Sequence, residues 1–199
     1  MMAPRIEAPT ILEQRAMRQR QLIDAAMSLA LEGGAPSVTV AAVAKRAGMA
    51  RSSIYEYFSS SADLIADLVI EEMNTYCARL QESVADAHDP FTYIELWIAE
   101  ALRYVADGRH LLVKSLNSVN TPDYRKDDIA QGHKKLIGTI IEPLRKIEGI
   151  DISLAMAYLQ STIDTASVRI DSGKEAELEI EFAQKFALAG LRALAHINS

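Results

Sequence analysis

Apolar residues along the chain recur at three- and four-residue spacings, and no stretch of Val, Ile and Thr alternates with period two, so helices are predicted throughout. From Ile11 to Glu32 one face carries Leu22, Ile23, Ala26, Met27, Leu29 and Ala30, and Gly33, Gly34 and Pro36 close the segment. Ser60 and Asp63 have the spacing of a capping box and open a helix through Leu64, Leu68 and Met73 to about Ala85. Pro90 suits the first turn of a helix to about Asp107, and Gly108 introduces a shorter one from Arg109 to about Val119. The next pattern runs from Pro122 to about Ile147, with a bend or break expected near Pro143. Asp151 to about Ser172 and Lys174 to about Ile197 complete the set. With two short helices before residue 60, the fold class is all-α, about nine helices, and residues 1–10 are expected to form a flexible arm.

Those two short helices lie in Thr39 to Phe58, TVAAVAKRAGMARSSIYEYF. Thr39 is placed to cap a helix from Val40 to Ala47 whose inward face is Val40, Val43 and Ala44. Gly48 supplies a tight turn at a position where a β-branched residue would strain. The second helix is predicted from about Ala50 to Phe58, with Ile54 and Phe58 facing inward. Two short helices across a glycine turn form a helix-turn-helix, whose second helix enters the DNA major groove. Its outward positions are Arg51, Ser52, Ser53 and Tyr57. Arginine can bridge guanine O6 and N7, while serine and tyrosine hydroxyls suit bases or phosphates. Thr39, Lys45, Arg46 and Tyr55 complete the candidate DNA contacts.

Charge distribution agrees with a nucleic-acid site at one end. Residues 1–60 hold seven Lys/Arg against five Asp/Glu, a net of +2; the rest hold fourteen against twenty-two, a net of −8, giving the total of −6. Phosphate contact depends on the local patch, so an acidic total does not oppose DNA binding. The acidic run Glu175, Glu177, Glu179 and Glu181 reads as a solvated helix face. Composition is that of a soluble globular chain, 49% hydrophobic and 24% charged, with no apolar run long enough to span a membrane. The first twenty residues lack the apolar core of a secretory leader, and the single cysteine, Cys77, suits a reducing compartment; a cytoplasmic location is expected. Asp107 and His110 have the spacing of one carboxylate-x-x-His pair, but no second such pair exists, so no metal centre is expected. Phosphate-loop, dinucleotide and serine-hydrolase motifs are lacking, so neither a cofactor nor an enzymatic activity is expected.

The run T-V-x-x-V-A-x-x-A-G-M-x-x-x-x-I-Y-x-Y-F, followed by S-x-x-x-L, closely resembles the DNA-binding domain of TetR-type repressors. The likeness covers residues 15 to about 75. It implies a helix-turn-helix domain over 11–60, with the recognition motif at 39–58, and a C-terminal effector-binding and dimerisation domain over 61–199. It further implies a homodimer that binds palindromic double-stranded operator DNA and releases it on binding a small molecule. One departure concerns charge: many members carry a lysine after the aromatic pair, where this chain has Ser61, so one contact per subunit is either missing or supplied by Arg18, Lys45 or Arg46.

By the same resemblance, the effector pocket lies among the C-terminal helices, where aromatic and apolar side chains are mixed with a few polar ones. Tyr93, Trp97, Tyr104, Leu112 and Leu116 would offer apolar wall, as would Ile137, while Asn117, His133, Gln160 and Asp164 would offer hydrogen bonds to a largely apolar ligand. The last two helices are the expected dimer seam. One stripe is Ile152, Ala155, Met156, Leu159 and Ile163; the other is Phe182, Phe186, Ala189, Leu191 and Ala193. The helix from about Ser61 to Ala85 joins the two domains and is the expected lever of the switch. The alternative is an all-helical ligand-binding or enzymatic bundle whose helix-turn-helix no longer binds DNA.

Overall fold

The computed structural model describes residues 10–197. Among them are nine α-helices and no strand: α1 (Ile11–Gly33), α2 (Val40–Ala47), α3 (Arg51–Ile54), α4 (Ser61–Ser83), α5 (Pro90–Ala106), α6 (Arg109–Leu116), α7 (Lys126–Arg145), α8 (Ile152–Asp171) and α9 (Ala176–Ile197). Residues 1–9 of the expected arm lie outside the described residues. Thr10, its last residue, is instead the N-cap of α1: its hydroxyl accepts from the Glu13 amide at 3.2 Å, and its own amide donates to the Glu13 carboxylate at 2.6 Å.

The chain divides into two compact units. The first, the head, runs through Val69 and takes in Ser115–Arg125; the second, the body, comprises Ile70–Lys114 and residues from Lys126 onward. The head therefore extends past the boundary expected at residue 60 and recruits a segment assigned from sequence to the C-terminal domain. Hydrogen bonding and burial explain this. The Ser115 hydroxyl accepts the Ala35 amide at 2.9 Å, Tyr124 and Ser59 share a hydrogen bond at 2.6 Å, and Leu116 is buried.

The head's core joins Leu22, Ala26 and Ala30 of α1 to Val40, Val43 and Ala44 of α2, with Ile54, Phe58, Leu64 and Leu68 completing it, all buried. At the start of α4 the capping interaction is shifted by one residue. The Ser60 hydroxyl accepts from the Asp63 amide at 3.1 Å, but the Asp63 carboxylate reaches back to the amide of Ser59 at 2.9 Å.

The body packs α5, α8 and α9 together, with α7 against α5 and α8, around Ile94, Ile98, Leu102, Ile140, Leu144, Ala155, Leu159, Ile180 and Leu191. A 3-10 turn over Asp123–Arg125 precedes α7, so that helix begins at Lys126 rather than near Pro122. Pro143 lies in the last turn of α7, where it removes one amide donor, and the helix ends two residues later. The acidic run on α9 departs from its expected solvation. Glu179 is buried, with both carboxylate oxygens taken by Arg169 at 2.6 and 2.7 Å, and Glu177 pairs with Arg103 at 3.2 Å. No helix among the described residues is long and apolar enough to cross a membrane.

Candidate DNA-binding head and ligand cavity

In the head, α2 starts at Thr39, whose hydroxyl accepts the Ala42 amide at 3.2 Å. It stops at Gly48, whose φ of 67° and ψ of 29° are left-handed, and the Met49 amide closes onto the Ala44 carbonyl at 3.0 Å. The recognition segment is shorter as an α-helix than its sequence pattern suggests. After Ile54 the chain tightens, with Tyr55, Glu56 and Tyr57 amides bonding three residues back before Phe58 returns to Ile54 at 2.9 Å. Ala50 provides no side-chain cap, which leaves this helix held by the burial of Ile54 and Phe58 rather than by its own ends.

The predicted DNA contacts occupy different situations. Arg51, Ser52 and Tyr55 are exposed, and Ser53 and Tyr57 are half-buried. The Arg15 guanidinium stands 5.5 Å from the centre of the Tyr57 ring and donates to the Glu56 carbonyl at 3.0 Å, so α1 braces the end of the recognition segment. Arg46 is engaged inside the head. Its two terminal nitrogens bond both Glu32 oxygens at 2.7 and 2.8 Å, and it also donates to Ser28 at 2.6 Å. Mutual attraction holds the Glu32 carboxyl below its usual pKa and lifts that of Arg46. Lys45 and Arg51 have no ion-pair partner among the described residues, which leaves their charges available to phosphate or base. With Ser61 uncharged and Arg46 engaged, Arg18 and Lys45 are what remains of the expected substitutes for the missing lysine.

The body contains a cavity of about 230 Å³ between α4, α5, α7 and α8. Three predicted pocket residues line it, Trp97, Ile137 and Gln160, and Asp164 holds the Gln160 amide nitrogen at 2.8 Å. Tyr104 stands behind the wall, its ring stacked on the lining Tyr76 with centroids 4.0 Å apart. Tyr93, Leu112 and His133 do not line the cavity, and Leu116 and Asn117 belong to the head's unit. Sequence reasoning missed Tyr76, although it lies four residues after the buried Glu72 and three after Met73, on the inward face of α4.

Next to the cavity wall is a buried polar cluster. Glu72, with no exposed surface, accepts the Tyr104 hydroxyl at 2.9 Å and the Arg109 guanidinium at 2.6 and 2.5 Å. Burial, then the neighbouring carboxylate, pushes the Tyr104 phenol far above its ordinary pKa, so it remains a donor. Arg79 binds Glu100 at 2.6 Å and Asp107 at 3.0 Å, while His110 binds Asp171 at 3.0 Å. The Asp107–His110 pair singled out by spacing thus serves two separate partners. No group of metal-ligating side chains occurs among the described residues.

The expected dimer stripe on α8 requires correction. Ala155 and Leu159 are buried in the chain's own core, Met156 and Ile163 turn to the cavity, and Ile152 is half-buried. Leu191 of α9 is also buried. The face these helices leave open carries Leu154, Tyr158 and Val168 of α8 with Phe182, Phe186, Ala189 and Ala193 of α9, and has grooves of about 750 and 320 Å³. α8 is apolar on two sides, and periodicity alone does not tell which side the protomer keeps for itself.

Residues 22–68, which contain this capped helix, glycine turn and recognition segment, match the family model for bacterial regulatory proteins of the tetR family. The head of this chain therefore carries a domain of the tetR-family type. Among the chain's relatives is the fatty acid metabolism regulator protein of Bacillus subtilis, 27% identical over 161 residues, which cover 77% of this chain and 83% of that one. A transcriptional repressor of Mycobacterium tuberculosis, KstR, is 29% identical over 91 residues, 46% of this chain and 41% of its own length. The crystal structure of the regulator FadR from B. subtilis in complex with stearoyl-CoA superposes with a TM-score of 0.66 at 24% identity, covering 86% of this chain and 96% of that one. At that identity the structural likeness carries the fold.

Proposed function

We propose that this protein is a homodimeric repressor whose α2–α3 motif holds a palindromic operator, and that a ligand bearing a fatty-acyl or similar hydrocarbon chain releases it by entering the body's cavity. The observation that carries the reading is the pairing of a TetR-type head with a cavity walled by aromatic and aliphatic side chains. The B. subtilis relative, named for fatty acid metabolism, points to the same ligand chemistry. Arg51, Ser52 and Ser53 read bases, and Lys45, Tyr55 and Tyr57 hold phosphates, with Thr39 at the entry of α2. Arg46 positions α2 through Glu32 rather than touching DNA. The open face of α8 and α9 pairs with its copy, since Phe182 and Phe186 are otherwise exposed to water at 52% and 73%. The ligand acts by binding the DNA-incompetent state more tightly, and that difference in affinity sets the loss of operator binding.

The test is fluorescence anisotropy of the dimer on DNA from upstream of its own gene, with random-sequence selection supplying the operator if that DNA fails. Arg51→Ala should weaken specific binding by roughly 5- to 150-fold, the range of one base contact. A neutral ligand carrying a medium-length hydrocarbon chain, such as 1-octanol, should then release the bound DNA. Equal, weak binding to every duplex, including selected ones, would establish the alternative of a ligand-binding bundle that has lost DNA affinity.

A further inference from the structure

We propose that the body's cavity selects an uncharged alkyl ligand of about eight carbons bearing one neutral oxygen function, recognised by Tyr76 and Gln160, and that it rejects a free carboxylate. The inference rests on reading this cavity as the effector site and adds what the site will and will not accept.

Three features carry it. First, the wall contains no Lys, Arg or His, and no carboxylate either; its members are Tyr76, Trp97, Gln160 and seven aliphatic residues. An anion entering it would lose water and find no cation, a cost of several kcal/mol. Arg79 and Glu100, whose charges act on Tyr76, are already paired with each other, and burial first, then the Glu100 carboxylate, holds the Tyr76 phenol protonated. Second, most polar atoms of the wall are committed. The Trp97 N–H donates to the Thr139 hydroxyl at 2.9 Å, and the Gln160 NH₂ donates to Asp164 at 2.8 Å. Among the described residues the Tyr76 hydroxyl and the Gln160 carbonyl oxygen have no partner, leaving one donor and one acceptor. That pair suits a ligand carbonyl, which accepts from Tyr76, or a ligand hydroxyl, which also donates to Gln160. Third, about 230 Å³ holds roughly eight water- or methylene-sized groups at ~30 Å³ each.

Trp97 is the single tryptophan of the chain and lines the cavity, so its emission reports occupancy directly. The full-length protein is titrated at pH 8 with 1-octanol, methyl heptanoate, sodium octanoate and 1-tetradecanol. The two neutral eight-carbon ligands should give a saturable change, with octanoate and tetradecanol each at least tenfold weaker. Tyr76→Phe, which keeps the ring stacked on Tyr104, should weaken both neutral ligands about fivefold, the loss of one hydrogen bond. Gln160→Leu should weaken octanol more than the ester, because only the alcohol donates to it. Octanoate binding as well as octanol, tetradecanol binding more tightly than octanol, or no saturable change with either neutral ligand would overturn the inference. Saturation of Trp97 by octanol without release of operator DNA would support the selectivity and overturn the effector reading.

Discussion

Replacing Arg109 with methionine tests the energetics of the body most sharply. Glu72 has no exposed surface, and its three hydrogen bonds come from Tyr104 and the two arms of Arg109. Methionine fills the space of the aliphatic stem but leaves a buried carboxylate with one neutral donor. Removing one partner of a buried pair costs roughly 3–5 kcal/mol. The Arg109 side chain is 29% exposed, so water partly replaces it, and the lower end, about 3 kcal/mol, is expected. For a chain of this size that corresponds to a fall in Tm of roughly 6–12 °C. Urea and thermal unfolding followed by Trp97 emission report on the same unit that contains the pair. Glu72→Leu should cost less, because the guanidinium left behind can turn to solvent. The double variant should be more stable than the sum of the two losses implies. A loss below about 1 kcal/mol for Arg109→Met would refute the argument, since it would mean that Glu72 needs no cation where it lies.

Other expectations concern the head and the open face. Thr39→Ala removes the cap of α2 and should destabilise the head by about 1 kcal/mol, with Thr39→Ser restoring most of it, measured by thermal unfolding. Arg46→Gln should lower head stability at neutral pH while leaving the salt dependence of operator binding unchanged; Lys45→Gln should reduce that salt slope by about one per subunit. Because Arg46 holds the Glu32 carboxyl below its usual pKa, their contribution is full above the usual carboxylate range. It fades as pH falls through the lowered value, so the wild-type and Arg46→Gln melting curves should converge in acid. Phe186→Glu places a charge on the open face and should convert the dimer to a folded monomer by light scattering, with operator affinity falling alongside; a dimer unchanged at micromolar concentration would refute pairing through this face.

Much of the head was legible in the chain because its signals are local. A threonine three residues from the amide it caps, a glycine with positive φ at the turn between the two helices, and Ile54 four residues before Phe58 specify α2 and α3 without distant partners. The helices of the body were legible for the same reason, from apolar spacing punctuated by Gly and Pro. What spacing cannot carry is the rotation of a helix with two apolar sides. The stripe Ala155, Met156, Leu159 and Ile163 looked like a seam between copies, yet packing against α5, α7 and α9 turns it inward and leaves Tyr158 and Val168 outside. Charged residues posed the same difficulty: Glu179 lay in a run that reads as solvated, and Arg46 in a patch that reads as DNA-facing, until the tertiary structure brought Arg169 to one and Glu32 to the other. The cavity depends on such placement too, since Tyr76, Trp97, Ile137 and Gln160 come from four helices spread over 85 residues of sequence. Local sequence determined which segments coil and where they stop; which faces meet, and which charges are neutralised, was decided only when helices far apart in the chain competed to bury the same apolar surface.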